Sequence, residues 1–309
     1  MSLVELQTVL QLGLICSLTV LALFLSYSML GVCDLSTDGC FTLGATVGAV
    51  VAVAGHPVLS IPAAMLAGVC SGFVTALLQT KMGINSLLAG IIVNTGLYSV
   101  NIAIMSGSNR INLNKTGTVF TMVKGLLAGT PLEGLHVVVV AAVAVLLTVV
   151  LLTLFLNTRL GLAIRATGNN PDMVRSSSIN PTFTTIVGLC AANALTGLSG
   201  CLMAQAQQST EINIGSGMVT IALASLLIGG TLLGRGGIFV RAVGMVLGAF
   251  LFRLVYAVAL RLDMPAFMLK LVSSVIVALA LALPYLKSQW PMISRRLSYK
   301  KALAGKEGK

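Results

Sequence analysis

Amide, hydroxyl and carboxylate side chains stand inside otherwise apolar segments of this sequence. Such groups suit the passage of a small polar solute. Asn94, Tyr98 and Asn101 recur at the helical spacing i, i+4 and i+7, which places them on one face of a helix. A second stripe begins at Asn193 and leads through small residues toward Gln205. Because unpaired polar groups in hydrocarbon are costly, each stripe is either a wetted path or a set of interhelical hydrogen bonds.

Two polar, glycine-containing stretches supply the remaining candidate groups. Residues 34–39 precede a short apolar segment at 41–55, and residues 211–217 precede another at 218–233. The free N–H groups at the start of such helices suit a solute carboxylate or hydroxyl; alternatively, Asp34 and Asp38 cap the helix that follows them. The candidate pathway residues are therefore Asp34, Ser36, Thr37, Asp38, Gly39, Asn94, Tyr98, Asn101, Asn193, Gln205, Glu211, Asn213, Gly215 and Ser216.

Composition determines what kind of protein must position these groups. Of the 309 residues, 57% are hydrophobic and 9% are charged, whereas an ordinary soluble domain carries about 25% charged residues. The mean hydropathy is +1.00. A chain with so little polar material cannot cover a globule with a wetted surface, which excludes a soluble enzyme, a disordered chain and a collagen-like fibre. The composition predicts an all-α, polytopic membrane bundle.

The lengths of the apolar runs predict about eight or nine membrane segments, since one span needs about 20 apolar residues. Two of them, 41–55 and 218–233, are short: 15 residues of helix are roughly 22 Å long, less than the ~30 Å hydrocarbon core. The runs long enough to span are 6–30, 57–80, 86–105, 135–157, 182–206, 238–260 and 266–286.

The two halves of the chain follow a similar order, which predicts a weak internal repeat within a single domain, 1–309. Residues 6–105 and 182–286 form the repeats, and 135–157 is the linking helix. Each half contains a small-xxx-small pair, Gly68/Gly72 and Gly244/Gly248, that lets helices approach closely. Short hydrophobic segments at matching places in two halves point to a transport site; the alternative is two short packed helices.

The positive charge of the chain fits a membrane protein and predicts no nucleic-acid partner. The net charge is +11, and Lys and Arg concentrate in the segment 158–181 and the tail 287–309. Placing both in the cytoplasm satisfies the positive-inside rule, and the tail then lies near anionic lipid. The parity of crossings puts the N-terminus outside and makes the halves inverted, unless a short segment turns back within the membrane.

No catalytic, metal or cofactor signature is present in the sequence. The glycine-rich run 229–236 has Arg where a phosphate loop needs Lys and Gly where it needs Ser or Thr, so the chain is not expected to hydrolyse ATP. The cysteines lack zinc spacing, and a disulfide between Cys33 and Cys40 stays open. Asn170 is expected to cap a short helix that runs from Pro171 to about Ser177.

Three runs of sequence resemble one known family, the permeases of branched-chain amino acid/ribose-type bacterial ABC importers. The run TRLGLAIRATGNNPDMVRSSSIN resembles their cytoplasmic loop. The run CDLSTDGCFTLGA resembles their polar loop and first short helix, and GSGMVTIALASLLIGGTLLGRGG resembles their segment near the C-terminus. The matches occur in order over nearly the whole chain.

The resemblance implies an assembly in the bacterial inner membrane. Two permease chains would work with two cytoplasmic ATPase subunits, which bind the ATP, and with an extracytoplasmic substrate-binding protein. The implied solute is an amino acid, which includes the aromatic amino acids. The alternatives are a ribose- or nucleoside-type permease and an ion-coupled secondary transporter. A membrane enzyme acting on lipid is the least favoured alternative. The residues implied to couple to the ATPase are Arg159, Gly161, Arg165, Gly168, Asn169, Asn170, Pro171, Asp172 and Arg175.

Overall fold

The computed structural model describes residues 3–114, 116–126, 129, 133–234, 236–261, 271, 274, 275, 277–279 and 282, and this part of the chain is almost entirely helical. A π-helical stretch, Phe24–Met29, extends the first helix, and a short 3-10 turn, Glu133–Leu135, precedes the sixth. The elements are α1 (Leu3–Leu23), α2 (Thr37–Val53), α3 (Ser60–Thr80), α4 (Ser86–Ile104), β1 (Arg110–Asn112), α5 (Val119–Leu126), α6 (His136–Asn157), α7 (Arg159–Asn169), α8 (Pro171–Ser176), α9 (Pro181–Ala206), β2 (Ser209–Glu211), α10 (Met218–Leu233) and α11 (Ile238–Arg261).

The all-α membrane bundle is confirmed. Within the described residues, six helices are long and apolar enough to cross a membrane, and they match six of the seven predicted spans. The two short helices are α2 and α10. The seventh predicted span, 266–286, and the basic tail, 287–309, lie largely or wholly outside the described residues.

Three local differences from the sequence interpretation have clear causes. The first short helix begins at Thr37, four residues before the predicted start at 41, so Asp38 and Gly39 belong to its first turn. The segment 158–181, interpreted as a loop, contains α7 and α8, because Thr158 and Asn170 accept the first free N–H groups of these helices. The paired strands β1 and β2 were not predicted, since three-residue strands leave no pattern to detect.

Helix α9 lies at the centre of the bundle and packs against α1, α2 and α3. Glycines allow this approach. A Cβ atom on Gly44 would lie 2.2 Å from the carbonyl oxygen of Gly197, and one on Gly68 would lie 2.2 Å from that of Asn193. The predicted pair Gly244/Gly248 brings α11 equally close to α10, where a Cβ on Gly248 would lie 2.2 Å from the carbonyl oxygen of Ser225. Close backbone packing of this kind holds helices together in lipid.

The short helices run in opposite directions from the middle of the bundle. Helix α2 leads toward the end that carries the two strands, where Ala49 and Ala52 pack on Leu113. Helix α10 leads toward the other end, which we call the α7 end because Gly168 of α7 there contacts Met29. Each is entered by a chain segment that turns back inside the bundle.

Candidate functional site

A polar cavity of about 390 Å³ lies where the N-terminal ends of α2 and α10 meet beside α4. The two tips are in contact: a Cβ atom on Gly215 would lie 2.1 Å from the carbonyl oxygen of Asp38. The cavity carries hydroxyl, amide and carboxylate groups inside a bundle that is otherwise apolar. Its lining residues are Asp38, Gly39, Thr42, Asn94, Thr95, Tyr98, Ser99, Asn101, Ile212, Asn213 and Ser216.

Asp38 joins the two short helices. It lies in the first turn of α2, yet its carboxylate accepts hydrogen bonds from the N–H groups of Gly217, at 2.9 Å, and Val219, at 2.8 Å. Thr42, one turn further along α2, accepts from the N–H of Gly215 at 3.2 Å. Asp38 therefore caps the opposite short helix, α10, whereas the N-cap residue of its own helix α2, Ser36, makes no side-chain capping hydrogen bond. The free amides expected at the tip of α10 are already bound, because a carboxylate on the neighbouring helix is their nearest acceptor.

Helix α4 supplies the wall opposite the two tips. The amide nitrogen of Asn101 donates to the carbonyl oxygen of Gly39 at 3.3 Å and is buried, which fixes α4 against the first turn of α2. A Cβ atom on Gly39 would lie 2.6 Å from Oδ1 of Asn94, so glycine leaves the Asn94 amide room at the cavity wall. The side chain of Tyr98 is 50% exposed and lines the cavity.

Asp34 lies behind the cavity in a buried hydrogen-bond network. Its Oδ1 accepts from the N–H of Ser36 at 2.8 Å and from the Ser36 hydroxyl at 2.6 Å. Its Oδ2 accepts from the amide of Asn193 at 2.7 Å. Since all three residues are at most 2% exposed, this network joins α9 to the entry of α2 and offers nothing to a solute in the cavity.

The polar residues of the α9 stripe are buried in packing and hydrogen-bond contacts. Thr196 donates back to its own helix, to Ala192, and Gly197 fits against α3. Gln205 is fully buried; its amide oxygen accepts from the N–H of Val119 and its nitrogen donates to the hydroxyl of Ser60. Interhelical hydrogen bonding, the second of the two alternatives, accounts for this stripe, whereas the stripe on α4 faces the cavity.

The predicted pathway residues thus divide into two sets. Those that the structure brings together at the cavity are Asp38, Gly39, Asn94, Tyr98, Asn101, Asn213 and Ser216. Those that lie outside its lining are Asp34, Ser36, Thr37, Asn193, Gln205, Glu211 and Gly215; Glu211 is on β2, paired with Arg110 across the strands. Sequence reasoning missed Thr42, Thr95, Ser99 and Ile212. Thr95 and Ser99 follow Asn94 and Tyr98 by one residue, so a wider stripe on α4 was the available signal.

The sequence of this chain matches a known protein family. A family model, "Branched-chain amino acid transport system / permease component", matches residues 6–292. The chain belongs to this family. It is therefore a permease of the branched-chain amino acid/ribose type found in ABC importers, a membrane component that moves solute and not an enzyme.

Two relatives of the permease are named for different solutes. The permease is 34% identical to the tyrosine transport system permease protein of Clostridioides difficile over 271 residues, which cover 87% of this chain and 88% of that one. It is 27% identical to the ribose import permease protein RbsC of Escherichia coli over 226 residues, which cover 71% and 66% of the two chains. Among solved structures, none matches the permease significantly.

The α7 end of the permease holds the predicted coupling residues together on two consecutive helices. Gly161 and Gly168 face inward: a Cβ atom on Gly168 would lie 2.1 Å from the carbonyl oxygen of Met29. As predicted, Asn170 caps α8, accepting from the N–H groups of Asp172 and Met173 at 3.1 Å each. The outward-facing residues are exposed, namely Arg159, Asn169, Asn170, Pro171, Asp172 and Arg175, while Arg165 is half-buried.

The described part of the permease offers no metal centre, because no three His, Cys, Asp or Glu side chains in it lie close enough together to hold an ion. Its six cysteines are free thiols, so Cys33 and Cys40 are not paired.

Proposed function

We propose that this permease moves a small zwitterionic solute, an amino acid, through the polar cavity between the two short helices. The cavity is the observation that carries the proposal. Among the described residues that line it, Asp38 is the charged one and none is Lys or Arg. A carboxylate surrounded by amides and hydroxyls suits an ammonium group together with neutral hydrogen-bonding groups, and it repels a solute that is only anionic.

An aromatic or branched side chain on the solute also has partners in this cavity. Tyr98 and Ile212 present ring and aliphatic surface beside the polar groups. Aromatic side chains gain from such contact in addition to their burial. The 34% identical relative named for tyrosine transport supports the same class of solute.

Ribose is the second candidate, because amides and hydroxyls also bind sugar hydroxyls and one relative is named for ribose import. Uptake of radiolabelled tyrosine, leucine, ribose and a nucleoside by cells expressing the complete transport system separates the candidates. We expect amino acid uptake that unlabelled ribose does not compete. Ribose uptake without amino acid uptake would contradict the amino acid assignment.

Asn94 tests whether solute passes this cavity. Asn94→Leu keeps the size of the side chain but removes its hydrogen-bonding groups, and one lost hydrogen bond to a buried solute costs about 1–3 kcal/mol. We expect amino acid uptake to fall about tenfold, which corresponds to about 1.4 kcal/mol, with an unchanged amount of permease in the membrane. Leu88→Met, at an exposed site on α4 outside the cavity, is the matched control. Equal uptake by the two variants would remove the cavity from the pathway.

Partners complete the proposed transporter. We propose that ATP is hydrolysed by two separate subunits that bind α7 and α8 on the cytoplasmic side, and that an extracytoplasmic binding protein delivers the solute to a pair of permease chains. The family and the exposed surface of these helices support this. Uptake by the purified permease alone in liposomes, driven by an ion gradient, would favour a secondary transporter instead.

Gly168 is the position where ATP hydrolysis and transport are most easily separated. In Gly168→Ala the new methyl group meets the carbonyl oxygen of Met29, so α7 must move away from the π-helical end of α1. We expect ATPase activity of the assembled complex to persist while uptake falls at least about tenfold, a cost of about 1.4 kcal/mol. Gly230→Ala, at the same end of the bundle, meets no atom within 4 Å and should behave as wild type. Tightly coupled transport in Gly168→Ala would argue against force transfer at this contact.

A further inference from the structure

Two arginines of the described structure, Arg165 and Arg241, lie at the α7 end of the bundle without an ion-pair partner among the described residues. Arg241 of α11 donates to the hydroxyl of Ser28 at 2.8 Å and lies over the ring of Phe24, 5.3 Å from its centre. Its Nε is buried and has no hydrogen-bond partner. Within the described residues the ion pair present is Asp172–Arg175, so Arg241 has no carboxylate there.

Arg165 reaches the same place from α7. Gly168, one turn away on the same face of α7, packs on the backbone of Met29 and Leu30. This contact seats α7 against the π-helical stretch that carries Phe24 and Ser28. Arg165 is half-buried and has no hydrogen-bond or ion-pair partner in the described structure. It therefore adds a second positive charge beside the stretch that Arg241 contacts.

The position of Arg241 along its helix indicates which kind of anion would bind to the two arginines. Arg241 is in the first turn of a candidate span, Ile238–Ala259, and Ser28 is in the last turn of another, Glu5–Met29. The ends of membrane spans adjoin the lipid headgroups. Phe239 and Val240, in the same turn of α11, are 50% and 41% exposed and offer apolar surface at this level of the helix. Basic pockets of this kind between membrane helices bind anionic headgroups.

We propose that Arg165 and Arg241 form a binding site for the phosphate group of an anionic phospholipid, with the acyl chains lying against the exposed apolar face of α11. The guanidinium groups present unused N–H donors to the phosphate oxygens, and the lipid's negative charge relieves the repulsion between the two arginines. The lipid would then hold α7 against α1 and α11, the contact on which the proposed coupling depends. An ATPase carboxylate is the less favoured partner, because α7 and α8 present Leu162 and Met173, 52% and 64% exposed, on surfaces that are free for a protein.

Binding of lipid by the full-length permease tests the site directly. We would measure, by native mass spectrometry, how phosphatidylglycerol binds to the permease in detergent, with phosphatidylcholine as the neutral competitor. Arg165→Gln and Arg241→Gln should each weaken phosphatidylglycerol binding about fivefold, which corresponds to about 1 kcal/mol per arginine at an anionic surface. Arg159→Gln removes the same charge from an exposed position on the same helix and is the matched control.

Each outcome decides for or against the site. Loss of phosphatidylglycerol binding confined to Arg165→Gln and Arg241→Gln supports the site. Arg241→Lys should keep most of the binding, which would show that the loss in Arg241→Gln does not come from a folding defect. Equal loss in all three glutamine variants would show general attraction to a basic surface and overturn it. Displacement of phosphatidylglycerol by free glycerol phosphate would assign the pocket to soluble phosphate, and loss of ATPase binding with unchanged lipid binding would assign it to the motor.

Discussion

Asp38→Ala should abolish transport and destabilise the permease, the largest effect that we expect from any single polar residue. The substitution leaves the N–H groups of Gly217 and Val219 without the carboxylate that accepts from them at 2.9 and 2.8 Å. Hydrogen bonds to a charged group contribute about 1.5–3 kcal/mol each, and helix capping adds to this. We expect the free energy of unfolding to fall by about 2 kcal/mol or more and uptake to reach background.

Graded variants separate the charge of Asp38 from its shape. Asp38→Asn keeps one acceptor oxygen but no charge, so it should retain part of the stability and little transport. Asp172→Asn removes an exposed acid whose ion pair with Arg175 is 3.7 Å long, and it should leave the unfolding temperature unchanged. Thermal unfolding in detergent and uptake in cells give the two measurements. Wild-type values for Asp38→Ala in both would disprove the link between the two short helices.

Gly44→Ala should prevent the bundle from assembling. The added methyl carbon would lie 2.2 Å from the carbonyl oxygen and 2.5 Å from the Cα of Gly197, and both are backbone atoms of the central helix α9. A side chain could rotate away, but the backbone of α9 cannot move without losing its contacts to α1 and α3. Overpacking a close contact costs about 1–3 kcal/mol and occasionally more; here we expect the upper end or beyond, with little folded permease in the membrane.

Gly96→Ala on α4 is the control, because the new methyl group meets no atom within 4 Å and alanine is the better helix former by about 1 kcal/mol. Gly44→Ala should therefore lower the amount of permease in the membrane and its unfolding temperature, whereas Gly96→Ala should raise both. Gly197→Ala tests the packing of α9 on its other neighbour, α3, where the methyl group would lie 2.5 Å from the carbonyl oxygen of Ala64. Normal folding of both Gly44→Ala and Gly197→Ala would mean that the helices are further apart than described.

The α4 stripe and the α9 stripe show how far periodicity reaches. Both have polar residues at helical spacing, and sequence alone left path and packing equally open for each. Asn94 and Tyr98 face the cavity, whereas Asn193 and Gln205 are buried in contacts with Asp34 and Ser60. Spacing tells which residues share a face, but the partner of that face is set by helices far away in sequence.

The sequence by itself determined the class of protein, six of the spans and the approximate position of the two short helices, since the thickness of the hydrocarbon core dictates how many apolar residues each helix needs. It also located the α8 cap, because Asn170 acts on N–H groups only two and three residues away. Only the tertiary structure decided that Asp38 caps a helix 179 residues further along the chain, and that Arg241 contacts Ser28 and Phe24 of the first span. Those contacts depend on how the halves pack around α9, and no local pattern of residue types records that.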